Sequence, residues 1–406
     1  MASPISDSSS ITVGEQQKTQ TFAFIAMTCL FFFWGFITVL NDILIPFLKE
    51  SFNLNYTQAM LVQSCFFGAY FIISPLAGKL IDRVGYQQGI VLGLLTTAAG
   101  CLLFYPSAEL HLYVLFLLAF FVLASGITIL QVAANPYVAA LGPENTAASR
   151  LNLAQAANSF GTTVGPLVGA ALILGVAVAD ASAVQGPYLM LAGLLVAVAL
   201  MFRFIKLPKI ASVESEENTN DDSVWNRRSL VLGALAIFLY VGGEVSIGSF
   251  LVNYFAESSI GGLSHEKAGE MVAYYWGAAM VGRLVGAAAM RYIPPTKYLS
   301  VNALIAILMI VVSMNSTGSV AMWSILAVGF FNSIMFPTIF TLAVKGLGSL
   351  TSKGSGLICQ AIVGGALIPL VQGAAADNVG IQLSFIVPML CYIYIGWYAL
   401  KGADQS

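Results

Sequence analysis

The sequence predicts an all-α membrane protein of twelve spanning helices arranged in two groups of six. Three observations carry that expectation. Hydrophobic residues make up 58% of the 406 and charged residues only 9%, which leaves too few polar side chains to cover a water-facing surface. Apolar runs of about 20 residues, the length a helix needs to cross hydrocarbon, recur twelve times along the chain. The longest polar interruption, Pro208 to Arg228, contains Glu214, Glu216, Glu217, Asp221 and Asp222 and divides the runs six and six.

The elements follow in order. Residues 1–19 hold Ser8-Ser9-Ser10 and Gln16-Gln17 and lack the apolar core of a signal peptide, so a disordered tail is expected there. A first half, 20–207, contains spans over roughly 20–47, 57–81, 87–106, 111–139, 149–175 and 187–206. Residues 208–228 are charged and without apolar period, which makes them a linker. A second half, 229–401, contains spans over roughly 229–255, 267–291, 296–315, 319–343, 352–373 and 380–400.

Orientation follows from the basic residues, because short loops rich in Lys and Arg stay cytoplasmic. With the tail inside, twelve spans place fourteen of them on the cytoplasmic side: Lys18, Lys79, Arg83, Arg150, Arg203, Lys206, Lys209, Arg227, Arg228, Arg291, Lys297, Lys345, Lys353 and Lys401. Lys49 and Lys267 fall outside, and Arg283 is left within span eight. A miscount of one helix would scramble this bias, so the count and the topology support each other. Both termini are expected in the cytoplasm.

Several function classes drop out. A net charge of −2 without a basic tract leaves no footprint for nucleic acid. The five cysteines, Cys29, Cys65, Cys101, Cys359 and Cys391, lie in apolar stretches without metal-ligand spacing, and read as small buried hydrophobes. No nucleophile with its base, and no metal cluster, marks an enzyme; no cofactor is expected. No filter-like motif or ring of charge marks a channel.

What remains is a set of polar residues inside apolar runs. Asp42 lies near the end of the run Phe22 to Leu48, beside Asn41 and four residues before Pro46. Hydrocarbon cannot solvate a carboxylate, so intramembrane acids usually face a bundle interior and mark substrate or ion pathways. Asp42 with Asn41 is therefore the candidate cation site, sodium included, against the alternative of a structural partner for a neighbouring polar group. Glu244, in Val241-Gly242-Gly243-Glu244, is a second such acid. It reads equally as a coupling group or as a carboxylate meeting amides freed by a helix break at the paired glycines.

Gln131 and Asn135 share a helical face at a spacing of four, as Gln155 and Asn158 do at three. Amides donate and accept without charge, the chemistry a neutral sugar requires; the alternative is hydrogen-bonded glue between helices. Asn332 and Gln360 are the matching islands in the second half, with Tyr275 and Trp276 as aromatic candidates to stack on a sugar's C–H face. Of the consecutive Tyr274, Tyr275 and Trp276, at most two can face one cavity.

The loop between spans two and three reads Gly78-Lys79-Leu80-Ile81-Asp82-Arg83-Val84-Gly85. It resembles the pattern of the major facilitator superfamily at this loop, and the resemblance implies that fold, with Gly78, Asp82, Arg83 and Gly85 as a conformational latch. The counterpart in the second half, Gly282-Arg283 through Arg291-Tyr292, is a degenerate loop without the aspartate. Longer strings, Asn41 to Pro46, Ala133-Ala134-Asn135-Pro136-Tyr137, Leu141 to Glu144, Arg150 to Gln155 and Phe336-Pro337-Thr338-Ile339-Phe340, resemble the fucose:proton symporter family, and within it the bacterial glucose/galactose transporters. That resemblance implies a functional monomer in the bacterial cytoplasmic membrane that carries a hexose with a cation. Fucose symporters carry a glutamate where this chain has Gln131. An amide cannot release a proton, and some similar glucose/galactose members are sodium-coupled, so the expectation leans to sodium over protons.

Overall fold

The computed structural model describes residues 20–53, 56–169, 184–208 and 223–403. The expected tail, residues 209–222 of the linker, and the side chains of 39–43, hence those of Asn41 and Asp42, lie outside the described residues. Among the described residues the regular structure is helical throughout.

The first half consists of α1 (Thr21–Ser51), α2 (Tyr56–Val84), α3 (Tyr86–Glu109), α4 (Tyr113–Ala140), α5 (Ala147–Gly169) and α6 (Gln185–Phe204). The second begins with α7 (Arg228–Ala256), α8 (His265–Ala289) and α9 (Pro295–Met314). Its last three spans are each in two pieces: α10 (Gly318–Asn332) with α11 (Met335–Val344), α12 (Thr351–Gln360) with α13 (Gly364–Val379), and α14 (Ile381–Ser384) with α15 (Ile386–Trp397). Apolar runs do not reveal these interruptions, but proline explains two of them. A proline has no N–H for the carbonyl four residues earlier and crowds it. Pro337 stands four after Ser333 and Pro388 four after Ser384, the points where spans ten and twelve break.

Among the described residues, ten helical stretches are apolar and long enough to cross a membrane. The two other long helices are α5 and α8, which the expected count includes. Both are diluted by polar residues, and these two pack on each other across the boundary between the halves. The packing scheme is otherwise repeated. In the first half α1 packs on α5, α2 on α4, and α3 on α4 and α6; in the second, α7 packs on α13, α8 on α10, and α9 on α10 and α15. A second contact between halves is α2 against α12, flanked by α4 against α12 and α5 against α11.

Small residues set these crossings. At Gly78 a Cβ would lie 2.9 Å from the Ser352 carbonyl, and at Gly356 one would lie 2.8 Å from that of Ser74, so α2 and α12 meet backbone to backbone. Gly364 lies against the Phe238 carbonyl of α7 in the same way. Two sequence expectations change here. Gly242 and Gly243 do not break α7, which runs through them; Gly242 instead makes room for Ile368 and the Gly364 carbonyl. Gly282 and Arg283 are not part of a loop. They lie inside α8, where Gly282 meets the Phe330 carbonyl, and the chain turns only after Ala289.

The contacts between halves gather at the end of the bundle that carries most of the lysines and arginines. Gly78 to Val84, read from the sequence as loop, are the last turns of α2, and Gly85, at φ 81°, makes the turn after them. Asp82 lies 3.9 Å from Lys353 and Glu144 3.5 Å from Lys345, both pairs crossing the boundary; Arg83 is exposed beside them. Ser149 donates to the Ala287 carbonyl at 2.5 Å, and Asn152 donates to Thr338 at 3.3 Å. At the same end Arg150 donates to the carbonyls of Val138, Ala139, Gly142 and Pro143 and to the Thr146 hydroxyl. Its cation thus satisfies the last carbonyls of α4, where the helix dipole is negative.

If backbone contact rather than flexibility explains the inner glycines, Gly364→Ala should lower stability by about 1–3 kcal/mol, the usual cost of overpacking. Gly193, with open space around it, is the control. The melting temperature of detergent-purified protein should fall for the first substitution and hold for the second.

Candidate functional site

Two prolines organise the polar centre. Pro136 in α4 leaves the Val132 carbonyl without its helical donor, and Pro337 in α11 does the same to Ser333. Inside hydrocarbon such a carbonyl must find another partner. Val132 accepts from the Ser355 hydroxyl of α12 at 2.9 Å, across the boundary between halves. Ser333 accepts from Nε of Arg283 at 3.2 Å.

Five residues before each proline stands an amide paired with a buried tyrosine. Gln131 Nε2 donates to the Tyr70 hydroxyl of α2 at 2.5 Å. Asn332 Nδ2 donates to the hydroxyls of Tyr275 in α8 and Tyr392 in α15, at 2.7 and 2.8 Å. Since α2 and α8 hold equivalent places in the two halves, this is one arrangement built twice. Neither Tyr70 nor Tyr392 stands out from the surrounding apolar run, but the shared spacing, Gln131 to Pro136 and Asn332 to Pro337, is a signal that aligns the halves.

The guanidinium of Arg283 has contacts on both sides of the boundary. In its own half it reaches the Ser333 carbonyl, and Nη2 lies 3.9 Å from Glu244 Oε1, which also accepts from the Tyr240 hydroxyl at 2.7 Å. In the other half Nη1 donates to the Ser159 hydroxyl and, at 3.4 Å, to the Gln155 carbonyl. Glu244 thus faces a fixed cation, an arrangement the sequence does not disclose because Arg283 is 39 residues away on another helix.

The other expected residues separate. Gln155 is buried on the face of α5 that meets α8. Asn158 turns toward α1 and donates to the Phe31 carbonyl at 3.0 Å, and Gln360 donates to that of Phe71 at 3.2 Å; both amides join helices. Asn135 is sealed, with neither amide atom partnered. Of the three consecutive aromatics, Tyr275 points inward, Tyr274 outward against the Trp323 ring, and Trp276 is 44% exposed next to Gly248 of α7. All five cysteines are free; Cys101, Cys359 and Cys391 are buried, whereas Cys29 lies on the outer face. Among the described residues no group of three or more His, Cys, Asp or Glu could hold a metal ion.

Comparison with known proteins adds to this geometry. A profile of the Major Facilitator Superfamily matches residues 23–369. The glucose/galactose transporter of Brucella abortus biovar 1 (strain 9-941) is 56% identical over 400 residues, covering 97% of each chain. The L-fucose-proton symporter of Escherichia coli (strain K12) is 33% identical over 416 residues, 95% of this chain and 94% of that one. A crystal structure of a Major Facilitator Superfamily transporter, FucP, in the outward conformation superposes with a TM-score of 0.87 at 33% identity, covering 94% and 99%.

The amide–phenol pairing is open to a direct check. Tyr70→Phe leaves a buried amide donor without its acceptor, an omission that costs about 1–3 kcal/mol. A double-mutant cycle of Tyr70→Phe with Gln131→Ala should return a coupling of about 0.5–1.5 kcal/mol in thermal stability; strict additivity would show that the two groups do not interact.

Proposed function

The chain belongs to the Major Facilitator Superfamily, and on that premise we propose that it imports a neutral hexose of the glucose or galactose kind together with a cation, by alternating access between its two halves. The observation that carries this reading is the doubled set of uncharged amides and phenols at the centre of both halves. Each sugar hydroxyl donates and accepts, so a site for it needs both functions and no net charge. Gln131 with Tyr70, Gln155, and Asn332 with Tyr275 and Tyr392 supply them. Asn135, Asn158, Gln360 and Trp276 belong to the shell around that site. The name of the Brucella relative supports the choice of sugar.

In this reading the sugar lies between the halves and the cation at Asp42, next to Asn41. Downhill entry of the cation drives accumulation of the sugar. Sodium is favoured over protons because Gln131 stands where a second proton carrier would be needed, while its amide oxygen remains able to serve a cation. The protein works in the bacterial cytoplasmic membrane as a monomer, with both termini inside. That orientation puts the basic end of the bundle in the cytoplasm, so the contacts gathered there close the cytoplasmic side and the state is outward-facing. The likeness to a transporter in the outward conformation is in keeping with this.

Uptake into proteoliposomes, with sodium and proton gradients imposed separately, tests the whole reading. Asp42→Asn should abolish accumulation against a gradient and leave sugar exchange, because it removes charge and barely alters shape; concentrative uptake by that variant would overturn the assignment. Gln131→Ala and Gln155→Ala should each weaken sugar binding by about 0.5–1.5 kcal/mol. Sugar affinity should rise with sodium at fixed pH, and sodium affinity with sugar, as linkage requires. Uptake driven by a pH gradient in sodium-free buffer, with no response to added sodium, would select the proton.

A further inference from the structure

Arg283 is the residue that the sequence leaves unexplained inside span eight, and its partners give it a purpose that rests on the transport reading. A largely buried guanidinium, here 14% exposed, needs a counter-charge, since a lone cation in hydrocarbon is strongly disfavoured. Glu244 supplies it from α7, held in place by the Tyr240 hydroxyl. Pro337 supplies a second anchor by freeing the Ser333 carbonyl, which Nε of Arg283 occupies. Both anchors belong to the same half as Arg283, so they persist when one half rocks against the other.

The remaining contacts cross the boundary. Nη1 meets the Ser159 hydroxyl and the Gln155 carbonyl of α5, and Ser159 in turn donates to that carbonyl at 3.1 Å. Neither partner is charged. Releasing them leaves the guanidinium neutralised by Glu244, whereas releasing Glu244 would strand a charge. The side chain is therefore built to hold one half permanently and the other reversibly.

We propose that Arg283 is a positioning residue of the transport cycle: fixed in the second half by Glu244 and the Ser333 carbonyl, it grips α5 at Ser159 and Gln155 while the cytoplasmic side is closed and releases it as that side opens. Closure of the seam and the pose of the sugar-binding Gln155 then change together. Glu244 is the standing counter-ion of Arg283 and not a ligand of the transported cation.

Cys359 is a native reporter. It is fully buried in α12, on the face shared with Ser355 and Gly356, which touch α4 and α2 of the other half. Cys101 and Cys391 are buried inside the separate halves and report unfolding. The full-length protein in proteoliposomes is treated with N-ethylmaleimide, and modification of each cysteine is followed by peptide mass spectrometry. Ser159→Ala removes one hydrogen bond to a cation and should speed Cys359 modification about tenfold without sugar. Cys101 and Cys391 should stay protected, and sugar affinity should fall. Arg283→Lys keeps the charge for Glu244 but loses the fork that reaches both halves, so it should speed Cys359 modification as well. A merely structural role predicts a lower melting temperature with all three cysteines slow, or all three fast together; either result overturns the proposal, as does an unchanged Cys359 rate in both variants. If the wild-type protein carries no hexose while Cys359 responds as expected, the transport reading fails and the grip of Arg283 on α5 stands.

Discussion

A backbone carbonyl stripped of its helical donor inside a membrane has no water to turn to, and two prolines place such carbonyls on either side of the boundary between the halves. Much of the polar centre follows from that constraint. Val132 takes a hydroxyl from the opposite half, and Ser333 takes a guanidinium, which in turn requires Glu244 and then Tyr240. Even the amide–phenol pairs lie at a fixed distance from the prolines. Irregular backbone at membrane depth is tolerated only where protein or a wet cavity covers it, so the place of each proline and the place of the seam are one fact.

Charge alone does not close the basic end. Asp82–Lys353 and Glu144–Lys345 cross the boundary where their side chains are a quarter to more than two thirds exposed, and such pairs contribute about 0–1 kcal/mol. Backbone contact at Gly78 and Gly356, the buried hydrogen bonds of Ser149 and Ser355 and the part-buried ones of Arg283 are better shielded from water and carry more of the closure. Asp82 and Gly78 thus contribute in different ways, the first as a weak rim charge, the second by an absent side chain.

Composition and run length were enough to read the twelve spans and their division, because hydrocarbon imposes both on any chain that crosses it. The turn at Gly85 was legible too, as glycine has a narrow use there, but the end of α2 was not, since Gly78 to Val84 read as loop and are its last turns. Interruptions in the last three spans were not, since a broken span is as apolar as a straight one; Pro337 and Pro388 were in view, but proline also sits inside α4 without ending it. Gln131 and Asn332 could be named as polar islands, yet their phenolic partners could not, because a tyrosine in an apolar run has no mark of direction. Glu244 was legible as an acid and illegible as half of a pair, its partner being supplied by the packing of α7 on α8. Asn158 and Gln360 show the converse, amides that read from the sequence as cavity residues and whose contacts join helices.

Arg150 has a mechanical consequence. By holding the carbonyls at the close of α4 and those of the turn that follows, from its place on the first turns of α5, it removes the slack between the two helices. The pair becomes a stiff elbow. A displacement imposed on α5 near Gln155 must then swing α4 as well, carrying Gln131 along with it, so the two amides of the first half travel as a single part and not as independent fingers.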